Sequence, residues 1–335
     1  ITLMIPDLMA TAFFGIEAAS AGDVNGDGAP DLIIGGYKSD FTGSAYAIYF
    51  GCNPLQLCDQ LELTTADSVI TTTGSLRTSI AGAGDFISRL GVNFDDIVIG
   101  GGLELSGVSS DPRAAYVVEG RETWPVELDA SAPDLMTGIY ALETPYSNTG
   151  VQATNAGDLN SDGSDELLFS AGGSIDHLFL AYSSAELVTS LELNAGLISY
   201  NGANPDFIEL SNPCADLGNT NLGTLLRGGT DLSGDGLPDM VIGNSSDKLL
   251  IIMDHNLNRL DCFRRGENRF GYRFDLAGDI NGDGAVDLIV VNDDDTLINA
   301  EKALIFYNNG AGIFGADQAE VGRAPSMEAK RPSAG

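Results

Sequence analysis

The sequence predicts an all-β protein built from repeated strand units, and three observations carry that expectation. A nine-residue acidic loop recurs four times, starting at Asp23, Asp158, Asp231 and Asp279. Each copy runs straight into a short apolar segment, Leu32-Ile-Ile, Leu167-Leu-Phe, Met240-Val-Ile or Leu288-Ile-Val. Such runs read as strands because they are short and lack helical periodicity. The composition agrees, with 42 glycines, one Trp and 43% hydrophobic residues in 335, enough apolar material for a folded core.

Within each loop, positions 1, 3, 5 and 9 carry side-chain oxygens, and position 7 is free to vary. The sets are Asp23, Asn25, Asp27, Ala29 and Asp31; Asp158, Asn160, Asp162, Ser164 and Glu166; Asp231, Ser233, Asp235, Leu237 and Asp239; and Asp279, Asn281, Asp283, Ala285 and Asp287. A hard cation such as calcium takes six to eight oxygen ligands, which alternating Asx side chains and one backbone carbonyl at position 7 can supply. Three carboxylates so close would repel one another without a cation, so the pattern points to about four Ca²⁺ ions. Position 6 is Gly in every copy (Gly28, Gly163, Gly236, Gly284), as a turn through positive φ requires. An EF-hand is excluded because its position 12 Glu is replaced by Ile34, Phe169, Ile242 or Val290. A dockerin-type module is disfavoured because a strand, not a helix, follows.

The flanks resemble a known family. Phe14-Gly15 precedes the first loop, Phe270-Gly271-Tyr272 precedes the last, Ala-Gly-Asp leads in at Ala21, Ala156 and Ala277, and Ile34-Gly35-Gly36 leads out. These residues are similar to the FG-GAP repeats of the integrin α-subunit β-propeller and its bacterial relatives. The resemblance implies four-stranded antiparallel blades, with the calcium loop joining the first two strands of each.

A fifth copy is damaged. Gly84-Asp85 enters like the others and Asp96-Ile-Val-Ile leaves like them, but three extra residues separate the anchors, and Arg89 occupies a ligand position. It reads as a unit that kept its strands and lost its ion, against a rearranged site using Asp85, Asn93 and Asp95. First-Asp spacings of 62, 73, 73 and 48 residues leave room for loops around blades of about 40–50 residues. The count is five blades, with six or seven as alternatives. Third and fourth strands are expected at 45–50 and 60–63, 114–119 and 126–128, 177–182 and 191–193, and 249–253 and 259–263, with 303–307 in the last unit. That unit's fourth strand is weak, and the alternating Ile1-Thr-Leu-Met-Ile5 is expected to supply it, closing the ring or pairing with a neighbouring subunit. Residues 1–321 thus form one propeller domain, followed by a tail or linker from 322 to 335.

With 48 acidic against 16 basic residues and a net charge of −32, nucleic acid and anionic membranes are disfavoured as partners. The acidic loops suit an extracellular, calcium-rich medium. The start at Ile fits removal of a signal peptide, and no stretch is long enough to span a membrane. Four cysteines allow three pairings; Cys52–Cys58 and Cys214–Cys262 are expected, since Cys52 and Cys58 bracket a short turn.

No Gly-X-Ser-X-Gly elbow, zinc spacing or phosphate loop occurs, and His177 and His255 have no matched nucleophile motif. The chain therefore reads as a secreted, non-enzymatic adhesion or assembly module whose partner is a protein or glycan at a cell surface or matrix. A homopolymeric fibre subunit and a carbohydrate-active propeller enzyme stay open as alternatives. The sequon Asn244-Ser245-Ser246 is a weak glycosylation signal.

Overall fold

The computed structural model describes residues 12–38, 43–51, 66–73, 79–88, 94–100, 114–129, 138–144, 152–172, 176–183, 197–199, 207–216, 222–223, 225–244, 248–264, 270–271, 273–292, 302–314 and 319–322. Among these the regular elements are all strands, and no helix is long and apolar enough to cross a membrane.

Twenty of the strands form five antiparallel sheets of four, each strand beside its predecessor in the sheet. The first sheet is β1 (Ala12–Gly22), β2 (Asp31–Lys38), β3 (Gly43–Tyr49) and β4 (Ser68–Thr73). The second is β5 (Ser79–Gly84), β6 (Asp96–Gly100), β7 (Ala114–Val118) and β9 (Ile139–Glu143), and the third is β10 (Ala153–Gly157), β11 (Glu166–Gly172), β12 (Asp176–Ala181) and β14 (Phe207–Leu210). The fourth is β15 (Leu225–Thr230), β16 (Asp239–Asn244), β17 (Leu249–Met253) and β18 (Arg259–Arg264), and the fifth is β19 (Arg273–Gly278), β20 (Asp287–Asn292), β21 (Lys302–Phe306) and β22 (Ala319–Gly322). These are sheets of the form that propeller blades take.

The two remaining strands cross between sheets. β8 (Glu127–Asp129) leaves the second sheet and pairs in parallel with β4 at the edge of the first, and β13 (Leu197–Ser199) leaves the third and pairs in parallel with β9. Both lie in the connection between a sheet's third and fourth strands. The expected fourth strand at 126–128 is corrected by this: Ile139–Glu143 takes that place beside β7. In the first, third and fifth sheets the fourth place is likewise taken by Ser68–Thr73, Phe207–Leu210 and Ala319–Gly322, which corrects the expectation of 60–63, 191–193 and Ile1–Ile5 in that place. The expected strands at 60–63 and 191–193, and the segment 1–11, lie outside the described residues. A three-residue strand has no periodicity of its own, and its position is set by the edge it meets.

The apolar runs are continuous because consecutive sheets pack face to face and the middle strands are buried on both sides. Ile97 and Ile99 face the first sheet, against Ile33, Tyr46 and Ile48, while Val98 between them faces Leu167 and Phe169 of the third. Met240 and Ile242 face the third sheet, and Val241 faces Leu288 and Val290 of the fifth. The period-two alternation thus separates two cores within one strand.

In every sheet the pairing of the first two strands is interrupted by a β-bulge just before the loop. In four of the five sheets an Ala-Gly-Asp lead-in accounts for it, and in the fourth Gly229-Thr230-Asp231 stands in its place. Gly22 (φ 80°) and Gly157 (φ 80°) adopt positive φ, and a Cβ there would collide with Asp95 or Pro238 of the next sheet. Glycine therefore serves both the bulge and the close approach of neighbouring sheets.

Candidate metal loops and central cavity

The four intact loops adopt one hydrogen-bonded form. The position 1 carboxylate accepts the N–H groups of positions 5 and 6: Asp27 and Gly28 donate to Asp23 at 3.0 and 2.8 Å, Asp162 and Gly163 to Asp158 at 3.0 and 3.0 Å, Asp235 and Gly236 to Asp231 at 3.2 and 2.8 Å, and Asp283 and Gly284 to Asp279 at 3.0 and 2.8 Å. Position 5 in turn accepts the N–H of position 7, from Ala29, Ser164, Leu237 and Ala285. Where position 3 is Asn, in Asn25, Asn160 and Asn281, its oxygen accepts the position 5 N–H. The position 6 glycines have φ between 87° and 94°, the conformation their place in the sequence calls for.

Position 9 behaves differently from a free ligand. Asp31, Glu166, Asp239 and Asp287 are all buried at the first residue of a strand, and each accepts the position 2 N–H, from Val24, Leu159, Leu232 and Ile280 at 2.9, 2.6, 2.7 and 2.8 Å. In the first and fifth sheets the second oxygen accepts an N–H from just after the third strand, Gly51 at 2.7 Å and Asn308 at 3.0 Å. The position 9 carboxylate therefore ties the loop, the second strand and the end of the third together.

The damaged second copy keeps this tie. Ile87 and Gly120 donate to Asp96 at 2.6 and 2.8 Å, although the loop between is longer. Of the rearranged set, Asp95 accepts the Asp23 N–H of the first loop at 2.7 Å, and so serves the junction between the sheets. Arg89 and Asn93 lie outside the described residues. The two Asp85 carboxylate oxygens are buried without a hydrogen bond of normal geometry.

Burial dominates the electrostatics of these groups. It pushes Asp31 up to about 6 and Glu166 up to about 8, against the N–H bonds they accept. Asp239 is raised for the same reason, and Asp96, fully enclosed, is raised well above the carboxylate range. The exposed Asp279 is held below its ordinary value, chiefly by the Gly284 N–H. Among the described residues no three His, Cys, Asp or Glu side chains stand in ligating geometry about one point, because the loop carboxylates are turned onto the loop's own amides. The donor set itself fits a hard cation: every side chain at positions 1, 3, 5 and 9 offers oxygen.

The first strands of all five sheets line one cavity of about 980 Å³. Its wall carries Glu17, Arg227, Arg273 and Asp275, and Arg227 Nε stands 2.8 Å from Asp275. Burial pushes the Glu17 carboxyl up to about 7, against the Ile80 N–H and the charges of Arg227 and Arg273. Loop periodicity gave no warning of this group, since Glu17 belongs to the strand before the loop.

The expected Cys214–Cys262 disulfide is present, with Cα atoms 6.2 Å apart; Cys52 and Cys58 lie outside the described residues. Asn244 is fully buried in β16, so its sequon does not present a glycosylation site in the folded chain. His177 pairs with Glu209 across β12 and β14, and His255 stands 3.2 Å from Asp235 of the fourth loop.

No protein-family model matches this chain, and no curated protein sequence does either. Among solved structures, the chain is similar to the crystal structure of BBS1N in complex with ARL6DN, soaked with lead, at 10% identity over 93% of this chain and 83% of that one, with a TM-score of 0.43. It is also similar to the V. cholerae biofilm matrix protein Bap1, at 13% identity over 74% of this chain and 38% of that one, with a TM-score of 0.30.

Proposed function

We propose that the chain is a five-bladed propeller of the FG-GAP kind, that its four intact loops hold calcium as a structural ion, and that it works outside the cell as a non-enzymatic adhesion or assembly module. The observation that carries the calcium reading is the common loop form. Four separate segments present oxygens at positions 1, 3 and 5 around glycine turns of the same φ, beside a buried carboxylate at position 9. Buried carboxylates raised by desolvation are the groups a divalent charge stabilises most. The residues that would hold the ion are the position 1, 3, 5 and 9 side chains and the position 7 carbonyl. The ion supplies charge neutralisation and cross-linking of the first hairpin, with no turnover.

The propeller reading is supported by five consecutive sheets whose first strands share one cavity. The secreted reading is supported by the disulfide, which persists in oxidising compartments, and by the net charge of −32, of which four divalent ions would offset only a quarter. The surface module reading follows from the lack of a matched nucleophile and base. The test joins two measurements. Calcium uptake by the chelator-stripped chain should approach four ions, and the loaded chain should be retained on a cell surface, matrix protein or glycan, or on itself, in a calcium-dependent way. No uptake would refute the ion role, and a loaded monomer that binds none of these surfaces would refute the module role.

One observation favours a second reading. Glu17, whose carboxyl burial in the cavity raises to about 7, is the kind of acid a polysaccharide-cleaving enzyme uses. Absence of released reducing ends or unsaturated products on a panel of polysaccharides removes it.

A further inference from the structure

The central cavity is electrically polarised along its length. Its wall on β1 runs from Ile16 to Gly22, which spans about 20 Å at ~3.3 Å per strand residue. At the loop end the lining carries two carboxylates, Asp95 and Asp165, which accept the Asp23 N–H and the Asn155 amide. Toward the other end it carries two guanidinium groups, Arg227 of β15 and Arg273 of β19. Strand register sets their levels. Glu17 pairs with Gly35 and Arg273 with Val291, each four residues beyond position 9, while Arg227 pairs with Val241 and Asp275 with Ile289, each two beyond it. The four charged groups therefore stand on adjacent rungs of three neighbouring sheets.

Arg227 is fixed in place. Its Nε donates to Asp275 across the sheet boundary and its Nη1 to the Leu226 carbonyl, both at 2.8 Å, and these bonds use two of the five guanidinium N–H groups. Glu17 stands close enough to feel the charges of both arginines. Because burial raises its carboxyl to about 7, its neutral form is well populated at neutral pH and donates to a carboxylate instead of repelling it. Two guanidinium groups against Asp275 leave one positive charge when Glu17 is neutral and none when it is ionised. That balance suits a single carboxylate and not a phosphate dianion.

The rest of the wall says what the carboxylate is attached to. Opposite the arginines the lining is small and polar, with Ser79 and Ala81 of β5 and Thr154 of β10. Phe274 is the one aromatic residue of the lining among the described residues, so recognition by ring stacking has little to work with. The volume of about 980 Å³ exceeds what a bare anion needs and is of the size that encloses a small organic ligand. A second anion is kept out by Asp95 and Asp165 at the far end.

We propose that the arginine end of the cavity binds the carboxylate of an acidic sugar, with Arg227 and Arg273 pairing with that group and the hydroxyl-bearing wall of β5 and β10 taking the ring. The planar fork of arginine matches a carboxylate in two parallel hydrogen bonds. The inference rests on the surface-module reading and names the chemical group of its glycan partner.

The test titrates the calcium-loaded full chain by calorimetry with a disaccharide ending in glucuronate, beside cellobiose as the neutral disaccharide and acetate and inorganic phosphate as sugar-free anions. One glucuronate disaccharide per chain is expected, bound about tenfold or more tighter than any of the other three, the factor one charge-assisted pair supplies. Arg227→Gln and Arg273→Gln should each weaken it about tenfold or more. Arg259→Gln, which removes the same charge from an exposed pair with Asp216 on the outer strand β18, should leave it unchanged. Melting curves report whether each variant folds, and the exposed Arg273 carries the test where Arg227→Gln does not. Equal affinity for cellobiose, acetate or phosphate, a loss that Arg259→Gln reproduces, or no uptake of the disaccharide overturns the proposal. A chain that binds the disaccharide yet is retained on no surface refutes the module reading and leaves this site standing. Retention on a surface without calorimetric binding of the disaccharide refutes this site alone.

Discussion

Replacing both cysteines of the Cys214–Cys262 pair with alanine removes a staple between the ends of the third and fourth sheets. Cys214 follows β14 and Cys262 lies in β18. The bond closes a loop with a sequence separation of 48, for which the chain-entropy relation gives about 4 kcal/mol at 25 °C. Its position argues that much of this is realised. The first and second sheets are each capped at the outer edge by a crossing strand, whereas the β17–β18 hairpin is too short to send one to the third sheet. The disulfide stands where that cap would be. With an unfolding entropy of about 2 cal/mol/K per residue over 335 residues, a loss of about 4 kcal/mol lowers the melting temperature by about 6 °C. Urea titration of the parent chain with and without a thiol reductant, beside the double variant, measures it. Hydrogen exchange should rise first in β14 and β18. A double variant within about 1 kcal/mol of the parent, or peptide mapping that pairs Cys214 with Cys52 or Cys58, would refute the reasoning.

Four further outcomes are expected. Asp283→Ala should remove one calcium and about 1 kcal/mol of calcium-dependent stability in millimolar calcium, for a site in the range of extracellular modules, and in chelator should differ from the parent only by the lost Ala285 and Asn281 hydrogen bonds, read by differential scanning calorimetry. Gly84→Ala should cost about 2–4 kcal/mol, because the residue sits at φ 62° and a Cβ there would overlap the Asp165 carboxylate and the Asn155 amide. Gly163→Ala, at φ 92° with open space around it, should cost only the backbone part, about 1–2 kcal/mol, in the same denaturant assay. Glu17, raised from 4.5 to about 7 by burial, binds its proton more tightly in the folded chain. Its contribution is thus fully present below about pH 4.5 and is lost as pH rises through about 7, on the order of 1 kcal/mol after solvent screening. Glu17→Gln should flatten that part of the pH–stability curve, and an unchanged curve would exclude the assignment.

The loops were legible in the sequence because their chemistry is local. Asp23 to Asp31 close on themselves through side-chain to N–H bonds no more than seven residues apart, so residue type and spacing are enough to specify them. The second and third strands of each unit were legible for a similar reason, being short apolar runs after a recognisable turn. The fourth strands were less so. Val126-Glu-Leu128 has the alternation of a closing strand, yet it joins β4 in the neighbouring sheet, and Ile139–Glu143 closes its own.

The role of position 9 was only half legible. A carboxylate ending an acidic loop reads as a ligand, and its second duty depends on where the third strand ends, about 20 residues on for Gly51 against Asp31 and Asn308 against Asp287. The approach of His255 to Asp235 could not be read at all, because it depends on how the turn between β17 and β18 meets the loop.

The sequence by itself determined that the protein is made of strands and which segments curl into acidic loops. Each of these is decided by residues within one turn or one hairpin. Only the tertiary structure decided which edge receives a crossing strand, and that Glu17, Arg227 and Arg273 share a cavity. Those contacts join residues tens to hundreds of positions apart, and their energies depend on the packing of whole sheets, which no local pattern of side chains encodes.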